Sequence, residues 1–104
     1  MKYTFKRVTI PANTEYVEAI LTSTSEEPKK VVSLHFEKNT NLDFRAYIER
    51  ERILDFDSDL LPDNKPYLDI GIDLPVGQTL KVGAYNNSGS SVTVAIGVAY
   101  ELVA

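Results

Sequence analysis

Near the carboxyl end, "SVTVAIGVAYELV" places Val92, Val94, Ile96, Val98, Tyr100 and Leu102 on every second position. An extended strand puts such a set on one face, whereas a helix would scatter it around its circumference. The same period recurs upstream. It predicts inward sets of Val17, Ala19 and Leu21 in "YVEAILTS", and of Val32, Leu34 and Phe36 in "VVSLHFEK". Leu42, Phe44, Ala46 and Ile48 alternate with Asp43, Arg45, Tyr47 and Glu49. Leu68, Ile70, Ile72 and Leu74 form a further set, and so do Leu80, Val82 and Ala84. "FRAYIERERIL" is rich in helix formers, but the regular Leu42–Ile48 alternation predicts two strands that break near Glu51.

Proline, glycine and asparagine separate these runs, in "IPANTE", "SEEPKK", "EKNTN", "LPDNKP", "LPVGQ" and "NNSGS". With Tyr3–Ile10 and Arg52–Phe56 the strands number eight. At this spacing they predict an all-β antiparallel two-sheet sandwich forming one domain over residues 1–104. Eight strands is the jelly-roll count; an immunoglobulin-like sandwich is the alternative. One strand has a phase conflict. Tyr3 and Phe5 share one face, whereas Val8 and Ile10 share the other. A bulge near Lys6, or an arm docked on a neighbour, would resolve it.

Charge and composition narrow the function classes. The formal net charge is −4, which disfavours general binding to nucleic-acid phosphates. Lys6-Arg7 and Lys29-Lys30 read as solvated strand ends. No run of about 20 apolar residues suggests a membrane span, and "MKYTFKRVTI" lacks the apolar core of a signal peptide. A cytoplasmic or virion location is therefore expected, with neither nucleic acid nor membrane as partner. The chain has no cysteine, so disulfides and thiolate metal sites are excluded.

"DFDSDLLPDN" spaces Asp55, Asp57 and Asp59 as the first ligands of a calcium loop would be. Glycine should follow at the sixth position and glutamate at the twelfth, but those are Leu60 and Pro66. The aspartates therefore read as turn formers, and no cofactor is expected. Were calcium to bind, Asp57, Asp59 and Asp63 would be its ligands. His35 is the sole histidine and lies on an outward phase. Without a paired nucleophile and acid it reads as a surface or interface residue, and no enzymatic activity is expected.

Tyr47 and Tyr85 fall on outward phases and could stack on a sugar or anchor a protein contact. More unusual are the outward positions of the last strand, Thr93, Ala95, Gly97 and Ala99, which are small and uncharged. Gly83, Tyr85 and Gly71 fall outward on other runs by the same phase rule. Glycine within a strand often marks a close approach by another backbone. The expected interface is therefore Gly83, Tyr85, Ala95, Gly97 and Ala99, joined by Tyr3 and Phe5. It would be covered by another copy or by the chain's own amino-terminal segment. The alternative function is a carbohydrate-binding module using Tyr47 and Tyr85, assisted by calcium.

The tail "LPVGQTLKVGAYNNSGSSVTVAIGVAYEL" resembles the closing hairpin of small viral and phage structural proteins. There a P-x-G turn, here Pro75-Val76-Gly77, leads into a strand. A loop, here Asn86 to Ser90, then precedes a long valine-rich final strand, here Val92 to Leu102. The resemblance covers about thirty residues and is one of pattern. It implies a jelly-roll capsid-decorating or minor capsid subunit that forms trimers or pentamers and docks on a larger particle.

Overall fold

The computed structural model describes residues 1–37, 41–57 and 67–103. These contain eight strands: β1 (Lys2–Ile10), β2 (Glu15–Thr22), β3 (Lys29–Phe36), β4 (Leu42–Ile48), β5 (Glu51–Asp57), β6 (Tyr67–Leu74), β7 (Thr79–Asn86) and β8 (Val92–Leu102). They form two four-stranded antiparallel sheets, ordered β1-β8-β3-β6 and β2-β7-β4-β5. The first strand pairs the last, the second the seventh, the third the sixth and the fourth the fifth. That wrapping is a jelly roll. Because β7 and β8 lie in different sheets, the tail is no hairpin; Asn86–Ser90 leads from one sheet to the other.

The inner faces meet on the alternating apolar residues. Phe36 of one sheet stacks on Phe44 of the other, with ring centroids 4.3 Å apart. Val94, Ile96, Val98, Leu80, Val82, Ala84, Leu42 and Ala46 complete the centre. Each large aliphatic side chain buried there contributes about 1.5–3 kcal/mol of transfer free energy. β4 ends where Glu49 adopts a φ of 55°, and β5 starts two residues later, so the two-strand reading of this region holds.

Two expected inward sets are corrected by bulges. In β2 the pairing with β7 shifts between Ala19 and Leu21, which buries both Ile20 and Leu21. Val17 and Ala19 therefore lie outward beside Gly83 and Lys81, while Tyr16 and Glu18 take the inward phase at the open edge. In β3 a shift between Val31 and Ser33 makes Val31, not Val32, the buried residue. In β1 no bulge occurs. Its register with β8 runs unbroken from Lys2↔Tyr100 to Ile10↔Val92, so Tyr3 and Phe5 face outward. The phase conflict is resolved on the inward phase, which carries Thr4 and the exposed Lys6 where the sandwich opens. Lys29 is also corrected. It is buried, and its ammonium donates to the carbonyls of Thr22 (2.8 Å) and Glu27 (3.0 Å).

Candidate functional site

The β1-β8-β3-β6 sheet has an outer face whose rows follow from strand register. One row runs Phe5, Gly97, His35, Tyr67, and the next runs Tyr3, Ala99, Ser33, Asp69. Tyr3 leans across the rows. A Cβ on Gly97 would meet the Tyr3 hydroxyl, and would lie 2.8 Å from its Cζ. Gly97 thus leaves the hollow that the tyrosine fills. The Tyr3 ring meets His35 edge-on at 5.0 Å, and His35 stacks on Tyr67 at 4.9 Å. Such aromatic contacts are worth about 0.5–1.5 kcal/mol beyond the buried area. His35 Nε2 and Ser33 Oγ are 2.9 Å apart. Partial burial pushes the His35 pKa down, against a smaller upward pull from the Asp69 carboxylate.

The amino-terminal strand therefore covers part of the small-residue face, as one of the two expected coverings requires. The covering is itself apolar: Tyr3 remains 55% exposed and Phe5 57%. Shallow hollows flank Tyr3. One of about 270 Å³ is floored by Ala95 and Gly97 beside Phe5 and Glu37. The other, of about 450 Å³, runs over Ala99 and Ser33 towards Lys2, Tyr67 and Asp69. The face can therefore bury flat apolar surface beside a few polar groups.

The seven expected interface residues do not form one patch. Ala95, Gly97, Ala99, Tyr3 and Phe5 share this face, but Gly83 and Tyr85 sit on β7 in the opposite sheet. Gly83 is buried. A Cβ there would collide with the Tyr16 carbonyl oxygen and lie 2.6 Å from the Val17 Cα. Its smallness accommodates the chain's own β2 backbone. Gly71 is a bend residue, with a φ of 51° where the β3–β6 register is irregular.

The opposite outer face is polar and internally paired. The Arg45 guanidinium bonds Glu15 Oε2 (2.5 Å) and Asp55 Oδ1 (3.4 Å), and sits 5.2 Å from the centroid of the Tyr85 ring. The Tyr47 hydroxyl donates to the same Glu15 carboxylate at 3.0 Å. Tyr47 and Tyr85 do share a face, but one ring face of Tyr85 and the hydroxyl of Tyr47 are already engaged. Asp57 ends β5 opposite Asp43. Asp59 and Asp63 lie outside the described residues. Among the described residues no group of three or more His, Cys, Asp or Glu side chains is placed to hold a cation.

Sequence reasoning placed His35 outward but did not join it to Tyr3 and Tyr67. Strand order, which the alternation leaves open, brings those three together.

No family model matches the chain, and no curated protein matches it. One solved structure that resembles it is the nucleoplasmin-like N-terminal domain of Drosophila FKBP39. That likeness has 9% identity and a TM-score of 0.44, over 98% of this chain and 93% of that one. At such a distance it carries no inference about role. The protein's class is set by its own strand order: an all-β jelly-roll sandwich.

Proposed function

We propose that this protein is a non-enzymatic assembly subunit. It is a rigid jelly roll that self-associates through the outer face of the β1-β8-β3-β6 sheet and docks on a larger particle such as a capsid. The observation that carries the reading is the pair Tyr3 and Phe5, each more than half exposed over a floor of Ala95, Gly97 and Ala99. Burying flat aromatic surface of this kind yields about 25 cal/mol per Å² before the costs of association. The viral setting, and with it a trimeric or pentameric state, rests on the resemblance of the tail alone. The carbohydrate reading has less support, because Arg45 and Glu15 already engage Tyr85 and Tyr47.

Light scattering on the purified chain at tens of micromolar tests the proposal. The expected mass is a multiple of the monomer, and Gly97→Lys, which displaces Tyr3 and adds a charge to the face, should lower it. A wild-type chain that stays monomeric at that concentration ends the proposal.

A further inference from the structure

The four sheet edges are not equivalent. Three of the edge strands are interrupted: β2 at Ile20, β5 at Ile53, and β6 around Gly71. Bulges of this kind are a common means of keeping an edge from pairing with another chain. Only β1, among the described strands at an edge, runs in unbroken register along its full nine residues, and it contains no proline. Its inward charge, Lys6, would ordinarily block edge pairing. Here the ammonium is drawn across to β2, where it donates to the Ala19 carbonyl at 3.0 Å. The guanidinium of Arg7 is exposed and has no partner among the described residues.

We infer that β1 pairs antiparallel with β1 of a second copy across a two-fold axis at Phe5, joining the two four-stranded sheets into one of eight strands. This rests on the self-association reading and adds to its face contact a second contact at the sheet edge. A two-fold perpendicular to the sheet keeps outer residues beside outer residues, so odd positions must pair with odd ones. Few registers of useful length remain, and charge chooses among them, because like charges directly opposite destabilise a sheet. An axis at Val8 pairs only Lys6–Ile10 and leaves the exposed Tyr3 and Phe5 outside the seam, and an axis at Thr4 sets Lys2 against Lys6. An axis at Lys6 sets Lys6 against itself, and an axis at Arg7 does the same with Arg7. The axis at Phe5 sets Tyr3 against Arg7, Thr4 against Lys6, Lys2 against Val8, and Phe5 against its own copy. Arg7 then lies beside the exposed Tyr3 ring, a favourable cation–π pair, and the two Phe5 rings cover each other. The unpaired N–H and C=O groups of the edge gain partners as well. Such a contact is isologous and gives a dimer by itself. Rings or shells would also need the sheet-face contact.

The chain lacks cysteine, so introduced thiols report the register directly. Directly opposed residues bring their Cα atoms about 4.5–5.5 Å apart, within disulfide reach. Under mild oxidation, Phe5→Cys should form a covalent dimer about ten-fold faster than Arg7→Cys, whose copies would stand about 13 Å apart. The double variant Thr4→Cys with Lys6→Cys should do the same while keeping Tyr3, Phe5 and Arg7. Added salt should speed both, because the basic side chains of two β1 strands gather at the seam. If neither variant cross-links faster than Arg7→Cys while light scattering still shows an oligomer, the edge pairing is wrong and the face contact stands. A strictly monomeric chain overturns both.

Discussion

The Tyr3 hydroxyl occupies the space in which a side chain on Gly97 would begin. The colliding atoms belong to the free end of a half-exposed tyrosine, so Gly97→Ala should displace the ring and leave the sheet intact. The expected loss of stability is below about 1.5 kcal/mol by denaturant titration, comparable to one aromatic contact. Tyrosine fluorescence should report a more solvated ring. A loss several-fold larger would mean that the β8 backbone, and not Tyr3, gives way.

Gly83 offers the contrast. There the atoms that a Cβ would meet are the Tyr16 carbonyl and the Val17 Cα, which are backbone and cannot swing aside. Gly83→Ala should force β2 away from β7 and cost about 1–3 kcal/mol or more. Urea unfolding of the two alanine variants side by side tests the distinction, with Gly83→Ala the less stable.

How much of this was legible in the sequence depends on what alternation encodes. The Leu42–Ile48 and Val92–Val98 strands were read correctly because their period is uninterrupted and one face is buried throughout. β2 and β3 were misphased because a single extra residue, Ile20 or Val32, flips the remainder of a strand to the other side. Gly83 and Gly97 looked alike because phase identifies an outer face without saying which sheet owns it. The order β2-β7-β4-β5 against β1-β8-β3-β6 separates them. Lys29 was misread for another reason. Its two carbonyl acceptors come from Thr22 and Glu27, whose position depends on the fold of the β2–β3 connection.

His35 gives the protein a signed pH response. Partial burial between Tyr3 and Tyr67 outweighs Asp69, so its folded pKa lies below the model-peptide value of about 6.5. Between the folded value and about 6.5 the unfolded chain binds more protons, so stability rises with pH across that window. Unfolding midpoints should fall as the pH drops from about 6.5 towards the folded pKa, then stop responding to this group. His35→Gln should remove that component. A chain whose pH profile is the same with and without His35 would contradict the shift.

The Glu15–Arg45–Asp55 cluster joins β2, β4 and β5 on the opposite outer face. Arg45 is half-buried and bonds carboxylates on both sides, so its pKa is pushed up first by the Glu15 bond. Arg45→Ala leaves Glu15 and the Tyr85 ring without their cation, while Asp55 keeps Arg52 at 3.6 Å. The expected cost is about 1 kcal/mol, near the top of the range for exposed pairs, because this cluster is a network and not an isolated pair. High salt should reduce the difference from wild type. An Arg45→Ala chain equal to wild type in low salt would show the cluster to be energetically idle.

Asn86 is fully buried at the end of β7, and every polar atom of its amide is used. Its Nδ2 donates to the Ile10 carbonyl (3.1 Å) and the Ser90 carbonyl (2.8 Å). Its Oδ1 accepts from the Ser88 backbone N–H and the Ser88 hydroxyl, both at 2.8 Å. Ile10 ends β1 in one sheet and Asn86 ends β7 in the other, so one side chain holds the two layers together and shapes the loop between β7 and β8. Asn86-Asn87-Ser88 also has the Asn-X-Ser form of a glycosylation acceptor, and this burial closes it to modification in the folded chain. Asn86→Asp keeps the acceptor side but replaces two donors with a buried charge that faces the Ile10 and Ser90 carbonyls. It should therefore destabilise more than Asn86→Ala, itself expected to cost about 2–3 kcal/mol through buried groups left unpaired. Thermal unfolding should follow the order wild type, Asn86→Ala, Asn86→Asp at neutral pH. The Asp variant should recover on acidification, as its carboxyl takes up a proton and can donate again. A stable, pH-indifferent Asn86→Asp protein would mean that the amide does not bridge the two sheets.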